Sequence, residues 1–286
     1  MDRLFFSDNI TAITGIAAAL CIIAVAFLHW QNTGLRVARY VYSSHRLPSE
    51  FKGFRIAQIS DYHNTKILEN KVVRMTEGEG PDIIVITGDL FDCRKTDVDA
   101  GLDLIKRLVK IAPVYMVCGN HEARIDNIEN IKDRIISLGV DIIEGRKIRL
   151  EKGGKTITLA GVADPRFEGS DFETEEEKLT FRNRLLKFFE GDDSFKILLS
   201  HRPEFIHTYR DSGVNLALTG HAHGGQFGIP FTDIGVFVPN QGLFPAYAAG
   251  YKTLDDTTMI ISRGIGKSVF PFRLFNYPEL VMIEFE

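Results

Sequence analysis

Apolar positions along this chain follow two different patterns. From Ile10 to Trp30 there is no Lys, Arg, Asp or Glu, and Ile16–Leu28 contains only Ala, Ile, Leu, Val, Phe and Cys. A bilayer-spanning helix needs about 20 mostly apolar residues, so residues 1–30 are predicted to form a transmembrane anchor. Trp30 at its end, with Tyr40 and Tyr42 beyond, suits the preference of amphipathic rings for the membrane–water interface. Residues 31–50 read as a juxtamembrane linker, with Leu47-Pro48-Ser49 near its end. Beyond it, short apolar runs alternate with amphipathic stretches. Strands are predicted at Phe54–Ser60, Asp82–Thr87, Val114–Cys118, Thr156–Gly161, Phe195–Ser200, Leu216–Thr219, Met259–Ser262 and Leu280–Phe285. Helical periodicity fits Lys66–Thr76, Asp97–Lys110, Ile125–Leu138 and Glu175–Glu190. Strands separated by helices of this length predict an α/β domain over 51–286, its sheet covered on both faces. Shorter connections near the C-terminus predict partly antiparallel pairing there.

Two readings compete with the anchor: a buried helix of the globular body, and a cleavable signal peptide with Ala24-Val25-Ala26 as its A-x-A site. Against cleavage, Asp2 and Asp8 stand beside a single Arg3, so no basic leader precedes the apolar run. The flanks also differ in charge. Arg3 stands alone on one side, with Arg36, Arg39, Arg46, Lys52 and Arg55 on the other. The positive-inside rule then predicts a single-pass cell-membrane protein with its catalytic domain in the cytoplasm. Export after signal cleavage is the alternative.

Composition narrows the function. Hydrophobic residues make up 44% and charged residues 25%, as in an ordinary globular protein, and the net charge of −4 disfavours binding along a nucleic-acid backbone. Cys21, Cys93 and Cys118 form no CxxC pair and no disulfide framework.

Five predicted strands end in a polar motif. Ser60 leads into Asp61-Tyr62-His63, Thr87 into Gly88-Asp89, and Cys118 into Gly119-Asn120-His121-Glu122. Ser200 leads into His201, and Thr219 into Gly220-His221-Ala222-His223-Gly224-Gly225-Gln226. Ligands of open α/β sheets bind at the carboxyl ends of strands, so these loops should converge on one crevice. Together they offer carboxylates, an amide oxygen and imidazoles but no thiolate, a set that suits Mn²⁺, Fe or Zn²⁺ better than Ca²⁺. Seven donors exceed one tetrahedral ion and are enough for two divalent ions sharing a carboxylate. Such a pair can hold a hydroxide for in-line attack on phosphorus. Gly88, Gly119 and Gly220 each precede a donor, where a sharp turn or an unobstructed approach is needed.

This ordered set, D-x-H, G-D, G-N-H-E, a lone H and G-H-x-H, resembles the calcineurin-like metallophosphoesterase superfamily from about residue 50 onward. Leu199–Glu204, Gly220–Gln226 and Ser262–Gly266 resemble its membrane-anchored bacterial branch, typified by YkuE and YaeI. The resemblance implies a four-layer α/β/β/α sandwich, with Asp61, His63 and His223 on one metal and Asn120, His201 and His221 on the other. Asp89 would bridge the two, Mn²⁺ being favoured, and His121 would be a catalytic acid that binds no metal. Tyr62 departs from the commoner leucine, on the face away from the ligands.

The implied activity is hydrolysis of a phosphodiester, pyrophosphate or phosphomonoester, phosphodiesters favoured, with a membrane lipid as one candidate substrate. A non-catalytic metal-binding or scaffold module on the same fold is the alternative. A hydrolase of C–O or C–N bonds is a weaker rival, because no D-H follows the H-x-H. Several neighbours carry two readings each. Glu122 could orient the site or start a helix. Asp164 could face the crevice or close a turn before Pro165, and Arg94 could touch phosphate or sit solvated. Phe231, Phe237, Phe244, Tyr247 and Tyr251 could form a lipid-facing lip or, more simply, pack the core. His207, His29 and His45 lie outside the motifs and read as structural or interfacial.

Overall fold

The computed structural model describes residues 2–286 except 171–173, 231, 233, 239–240 and 268–269, and for residues 2–11 the backbone alone. Helix α1 (Asp2–Thr33) leads into β1 (Arg36–Tyr42), β2 (Arg55–Ile59), α2 (Lys66–Glu79), β3 (Ile83–Thr87) and α3 (Val98–Leu108). β4 (Val114–Val117), α4 (Ile128–Ser137), β5 (Val140–Ile142), β6 (Lys147–Lys152) and β7 (Lys155–Gly161) follow. The chain continues through α5 (Glu175–Phe188), β8 (Lys196–Leu199), α6 (Ile206–Asp211) and β9 (Leu216–Thr219). It closes with β10 (Phe237–Val238), β11 (Gly242–Leu243), β12 (Gly250–Leu254), β13 (Thr257–Ile261) and β14 (Glu279–Phe285).

Two six-stranded sheets result, ordered β1-β14-β2-β3-β4-β5 and β12-β13-β9-β8-β7-β6. Neighbouring residues of a strand face opposite sides, and here each side has its own apolar partner. Ala57, Ile84 and Met116 of the first sheet pack on Leu68, Ile105 and Ile135 of α2, α3 and α4. Their neighbours Ile56, Val85 and Val117 face Leu159, Ile197 and Leu218 of the second sheet. Ala160, Leu198 and Ala217 turn outward onto Phe181 and Leu185 of α5 and Tyr209 of α6. The layers are therefore α/β/β/α. Pairing is parallel through β2-β3-β4-β5 and β7-β8-β9-β13, and antiparallel where β14 meets β2, β12 meets β13 and β6 meets β7.

The segment expected to be a linker is in part a strand. β1 pairs in parallel with β14 along Arg36–Tyr42, so residues 36–42 belong to the first sheet. Its alternation is real but marginal: Tyr42 is buried, Val37, Ala38 and Tyr40 are partly buried, and Arg36 and Arg39 point to solvent. Charged side chains are how edge strands avoid further pairing, and here they resemble a juxtamembrane flank. Upstream, Ala12–Thr33 of α1 is long and apolar enough to cross a membrane, and its most apolar stretch is not buried in the domain. The base of α1 is nonetheless seated on the domain. Phe27 packs at a tilt against Phe275, Trp30 meets Tyr277 edge-on, and Asn32 exchanges hydrogen bonds with both backbone groups of Arg273.

The preference for core packing in the aromatic run fails for three members: Phe237, Phe244 and Tyr251 are exposed, while Tyr247 is half-buried against the α5–α6 layer. Phe231 lies outside the described residues. His207 is exposed on α6. A chain begun at residue 51 loses the buried Leu35 and Tyr42 together with β1, worth at most about 3–6 kcal/mol at roughly 1.5–3 kcal/mol per buried side chain. Thermal unfolding should therefore place 51–286 well below 35–286; equal midpoints would show that β1 is dispensable.

Candidate metal centre

The five motif loops leave the carboxyl ends of β2, β3 and β4 in one sheet and β8 and β9 in the other, and they meet at the seam between the sheets. Cross-seam bonds fix this junction. Gln58 Nε2 on β2 donates to Thr87 Oγ1 on β3 at 3.0 Å and to the Thr219 carbonyl on β9 at 2.8 Å. His201 Nδ1 lies 2.8 Å from the Thr87 carbonyl, which leaves its Nε2 facing inward. The backbone is unusual here too. Asp61, His63, Asp89, His221 and His223 all have left-handed φ angles, between 46° and 65°. Asp and His tolerate that region better than most residues, yet each such residue costs of order 1–3 kcal/mol. Strain of this kind collects at functional sites.

The donor atoms of Asp61, His63, Asp89 and His223 lie within 4.8 Å of one another, and all four residues are buried. His63 Nε2 faces His223 Nε2 at 3.1 Å, and His223 Nε2 is 3.2 Å from Asp61 Oδ1. Asp89 Oδ2 continues the cluster, 3.6 Å from His63 Nε2 and 3.3 Å from His201 Nε2. On the far side Asn120 Oδ1 is 3.1 Å from His201 Nε2 and 2.9 Å from His221 Nδ1. All seven expected donors are thus brought together as two adjoining groups that share Asp89.

Their charge states suit a divalent cation, except that His201 would have to release a proton to bind one. Burial alone would raise Asp61, but His223 beside it brings the carboxyl down to about 2. Asp89 is likewise held well below the usual carboxylate range, against its burial, by His201 and His121. Burial depresses His63 to about 3, and burial with the neighbouring Arg202 depresses His221, so both are neutral. Burial disfavours a charged His201, but Asp89 outweighs it and lifts that imidazole to about 10. Two ionised carboxylates, an amide oxygen and inward-facing imidazoles make a donor set that metal ions fit.

The model of the calcineurin-like phosphoesterase family matches residues 54–225, which hold all seven donors. The chain belongs to the calcineurin-like phosphoesterase family. It is 28% identical over 259 residues to the metallophosphoesterase YkuE of Bacillus subtilis, spanning 87% of this chain and 84% of that protein. Against phosphodiesterase YaeI of Escherichia coli it is 24% identical over 239 residues, spanning 81% of this chain and 82% of that protein. A Bos taurus transmembrane protein with metallophosphoesterase domain is 28% identical over 258 residues, 84% of this chain and 54% of that protein. TT1561 of Thermus thermophilus shares the fold, with a TM-score of 0.51 at 16% identity over 74% of this chain and 90% of that one.

In this calcineurin-like phosphoesterase the side chains behind the donors are as specific as the donors. The buried Glu122 carboxylate accepts from the backbone N–H groups of Asp89 at 2.8 Å, Phe91 at 2.9 Å and Gly119 at 2.7 Å. Of its two readings, site orientation is the one its contacts support. Burial and then Asp89 push Glu122 up to about 7; three N–H donors suit the ionised form and leave an acid proton without an acceptor. His121 Nδ1 accepts from the Cys93 N–H at 3.1 Å, 3.4 Å from Asp92 Oδ1, so its ring proton sits on Nε2. Asp164 both caps the turn, accepting from Arg166 N, and pairs with buried Arg202 at 2.6 Å. Arg94 is held by Asp92.

Sequence reasoning missed Arg202 and Arg273. Arg202 touches His221 Nε2 and Arg273 touches His223 Nδ1, each at 3.2 Å, from the side away from the cluster. Packed against these guanidiniums, the rings present His221 Nδ1 and His223 Nε2 to the cluster. Arg202 stands one residue after His201, an available signal, whereas Arg273 lies 50 residues from its histidine. The glycines also need restating. Gly88 does use a left-handed turn, with φ 94°. At Gly119 and Gly220 the requirement is space: a Cβ would overlap Asp89 Oδ1 at the first and Ser60 Oγ and Asp61 Oδ2 at the second. Glu122→Gln replaces one accepting oxygen with a donor facing N–H groups, so it should cost about 1–3 kcal/mol of stability and reduce metal content. Parent-like melting and metal content would show that Glu122 does not hold the Asp89 loop.

Proposed function

We propose that the protein is a membrane-anchored, dinuclear metal-dependent phosphoesterase acting on phosphodiesters ahead of pyrophosphates and phosphomonoesters. One observation carries the reading: the donor wall is continuous from Asp61, His63 and His223, through Asp89, to Asn120, His201 and His221. In this reading the first three residues hold one ion, the last three hold the other, and Asp89 serves both. Oxygen and imidazole donors without a thiolate favour Mn²⁺, with Fe and Zn²⁺ next. Bound there, two divalent ions supply Lewis-acid stabilisation of phosphoryl charge and a nucleophile from water at neutral pH. His121 does the chain's own proton work: with Nδ1 occupied by the Cys93 N–H, its Nε2 proton is available to the leaving oxygen. Glu122 keeps the Asp89 and Gly119 loops in register, and Arg202 and Arg273 keep His221 and His223 turned inward.

The similarity to phosphodiesterase YaeI supports the phosphodiester preference. A lipid substrate draws support from α1 and from the exposed rings of Phe237, Phe244, Phe270 and Phe272. The functional test is hydrolysis by Mn²⁺-loaded full-length protein in detergent, assayed against phosphodiesters, lipid-linked pyrophosphates and phosphomonoesters. Two variants separate the roles. Asp89→Asn should lose metal and turnover together. His121→Ala should keep its metal and lose about 10²–10⁴-fold in kcat, with the smallest loss for p-nitrophenyl esters, whose leaving group needs little protonation. Metal loss in His121→Ala, or full metal content and turnover in Asp89→Asn, would refute these assignments.

For sidedness, the Lys and Arg residues after α1 support a cytoplasmic domain. Cys93 is the partly exposed thiol of the domain, while Cys118 is buried. An impermeant maleimide should therefore label Cys93 only after cells are lysed. Labelling of intact cells, or a mature N-terminus near Phe27, would instead support export.

A further inference from the structure

A cavity of about 890 Å³ lies between the last turns of α1, strand β1 and the 263–279 segment. No candidate metal ligand lines it. Its walls include Phe27, Trp30, Val37, Tyr40, Phe275 and Tyr277, and its size falls in the range of small-molecule sites, about 300–1,000 Å³. Phe27 and Trp30 belong also to the apolar Ala12–Thr33 segment, so the cleft opens where that segment reaches the domain. Trp30 is 53% exposed and Phe275 41% exposed, an open apolar surface rather than a filled core.

The cleft is also cationic. Arg263, one of its two arginines, lies 3.5 Å from Glu279. Arg36, the other, is exposed, with its guanidinium 3.5 Å from the centre of the Tyr277 ring. Among the described residues Arg36 forms no ion pair. A planar guanidinium already positioned by stacking is suited to bidentate contact with a phosphate, and the aromatic walls are suited to an acyl chain.

We propose that this cleft binds one anionic phospholipid from the leaflet around α1, its phosphate on Arg36 and an acyl chain along Phe27, Trp30 and Phe275. The proposal rests on α1 being a retained membrane anchor and is independent of the hydrolytic chemistry.

Trp30 is the only tryptophan in the chain, so its fluorescence reports on the cleft directly. The metal-loaded full chain in detergent micelles is titrated with phosphatidylglycerol bearing brominated acyl chains, and in parallel with brominated phosphatidylcholine. Quenching by the anionic lipid should saturate at one lipid per chain and exceed that by the zwitterionic lipid. Arg36→Gln should weaken binding of the anionic lipid about fivefold, the effect of one basic residue at an anionic lipid surface, and leave the zwitterionic lipid unchanged. Its metal content and turnover of a soluble ester should match the parent, so a lost lipid site and a lost phosphoesterase are distinguishable. Quenching that rises linearly with lipid mole fraction, or that is equal for both headgroups and indifferent to Arg36→Gln, would overturn the lipid site. An intact mass beginning near Phe27 would instead remove the anchor on which it rests.

Discussion

Two ionised carboxylates, Asp61 and Asp89, are buried at the seam between the sheets, and the structure around them follows from that constraint. Burying an uncompensated charge costs several kcal/mol even after relaxation. Partial compensation comes from the protein itself: His221 N–H lies 3.2 Å from Asp61, Ser60 Oγ donates to Asp61 at 2.6 Å, and His121 N–H donates to Asp89 at 2.8 Å. Cationic His201 supplies the rest on one side only. The neutral imidazoles of His63 and His221 point inward, which is a poor arrangement for a closed core and a good one for receiving divalent cations.

Holding those charges there constrains the backbone. Five of the seven donors sit in left-handed conformations. At roughly 1–3 kcal/mol apiece, their strain is comparable with the net stability of a typical domain, about 5–15 kcal/mol. Such loops hold only because the strands that launch them are rigid and because buried groups behind them leave no alternative. Glu122 closes the β3 and β4 loops onto each other, and Arg202 and Arg273 block rotation of His221 and His223. Arg273 has a second attachment, since its backbone is clasped by Asn32 at the end of α1. The base of the apolar helix and a donor to the metal centre are therefore two side chains apart.

Much of this was legible in the sequence for one reason: in parallel α/β architecture, apolar strands end abruptly where the chemistry begins. Asp61, Asp89, His201 and His221 each follow such an end by two residues and His121 by four, so strand prediction and site prediction were one inference. Contacts without local spacing escaped it. Arg273 meets His223 only through tertiary folding; Glu122 was legible as an orienting group beside His121, but not the loop of a different strand that it holds. Strand β1 escaped because Arg36 and Arg39, which protect a sheet edge, imitate a membrane flank. Phe237, Phe244 and Tyr251 depart from core packing because ring content is the same in a core and on an exposed surface; only packing separates them.

The central claim is that Asp89 joins two ion sites into one dinuclear centre. Low-temperature electron paramagnetic resonance of the full chain saturated with Mn²⁺ tests it directly, because two ions about 3.5–4 Å apart through a shared carboxylate interact magnetically. The account predicts an exchange-coupled pair with two manganese ions per chain. A six-line spectrum of isolated Mn²⁺ at saturation, with one ion per chain, would contradict it.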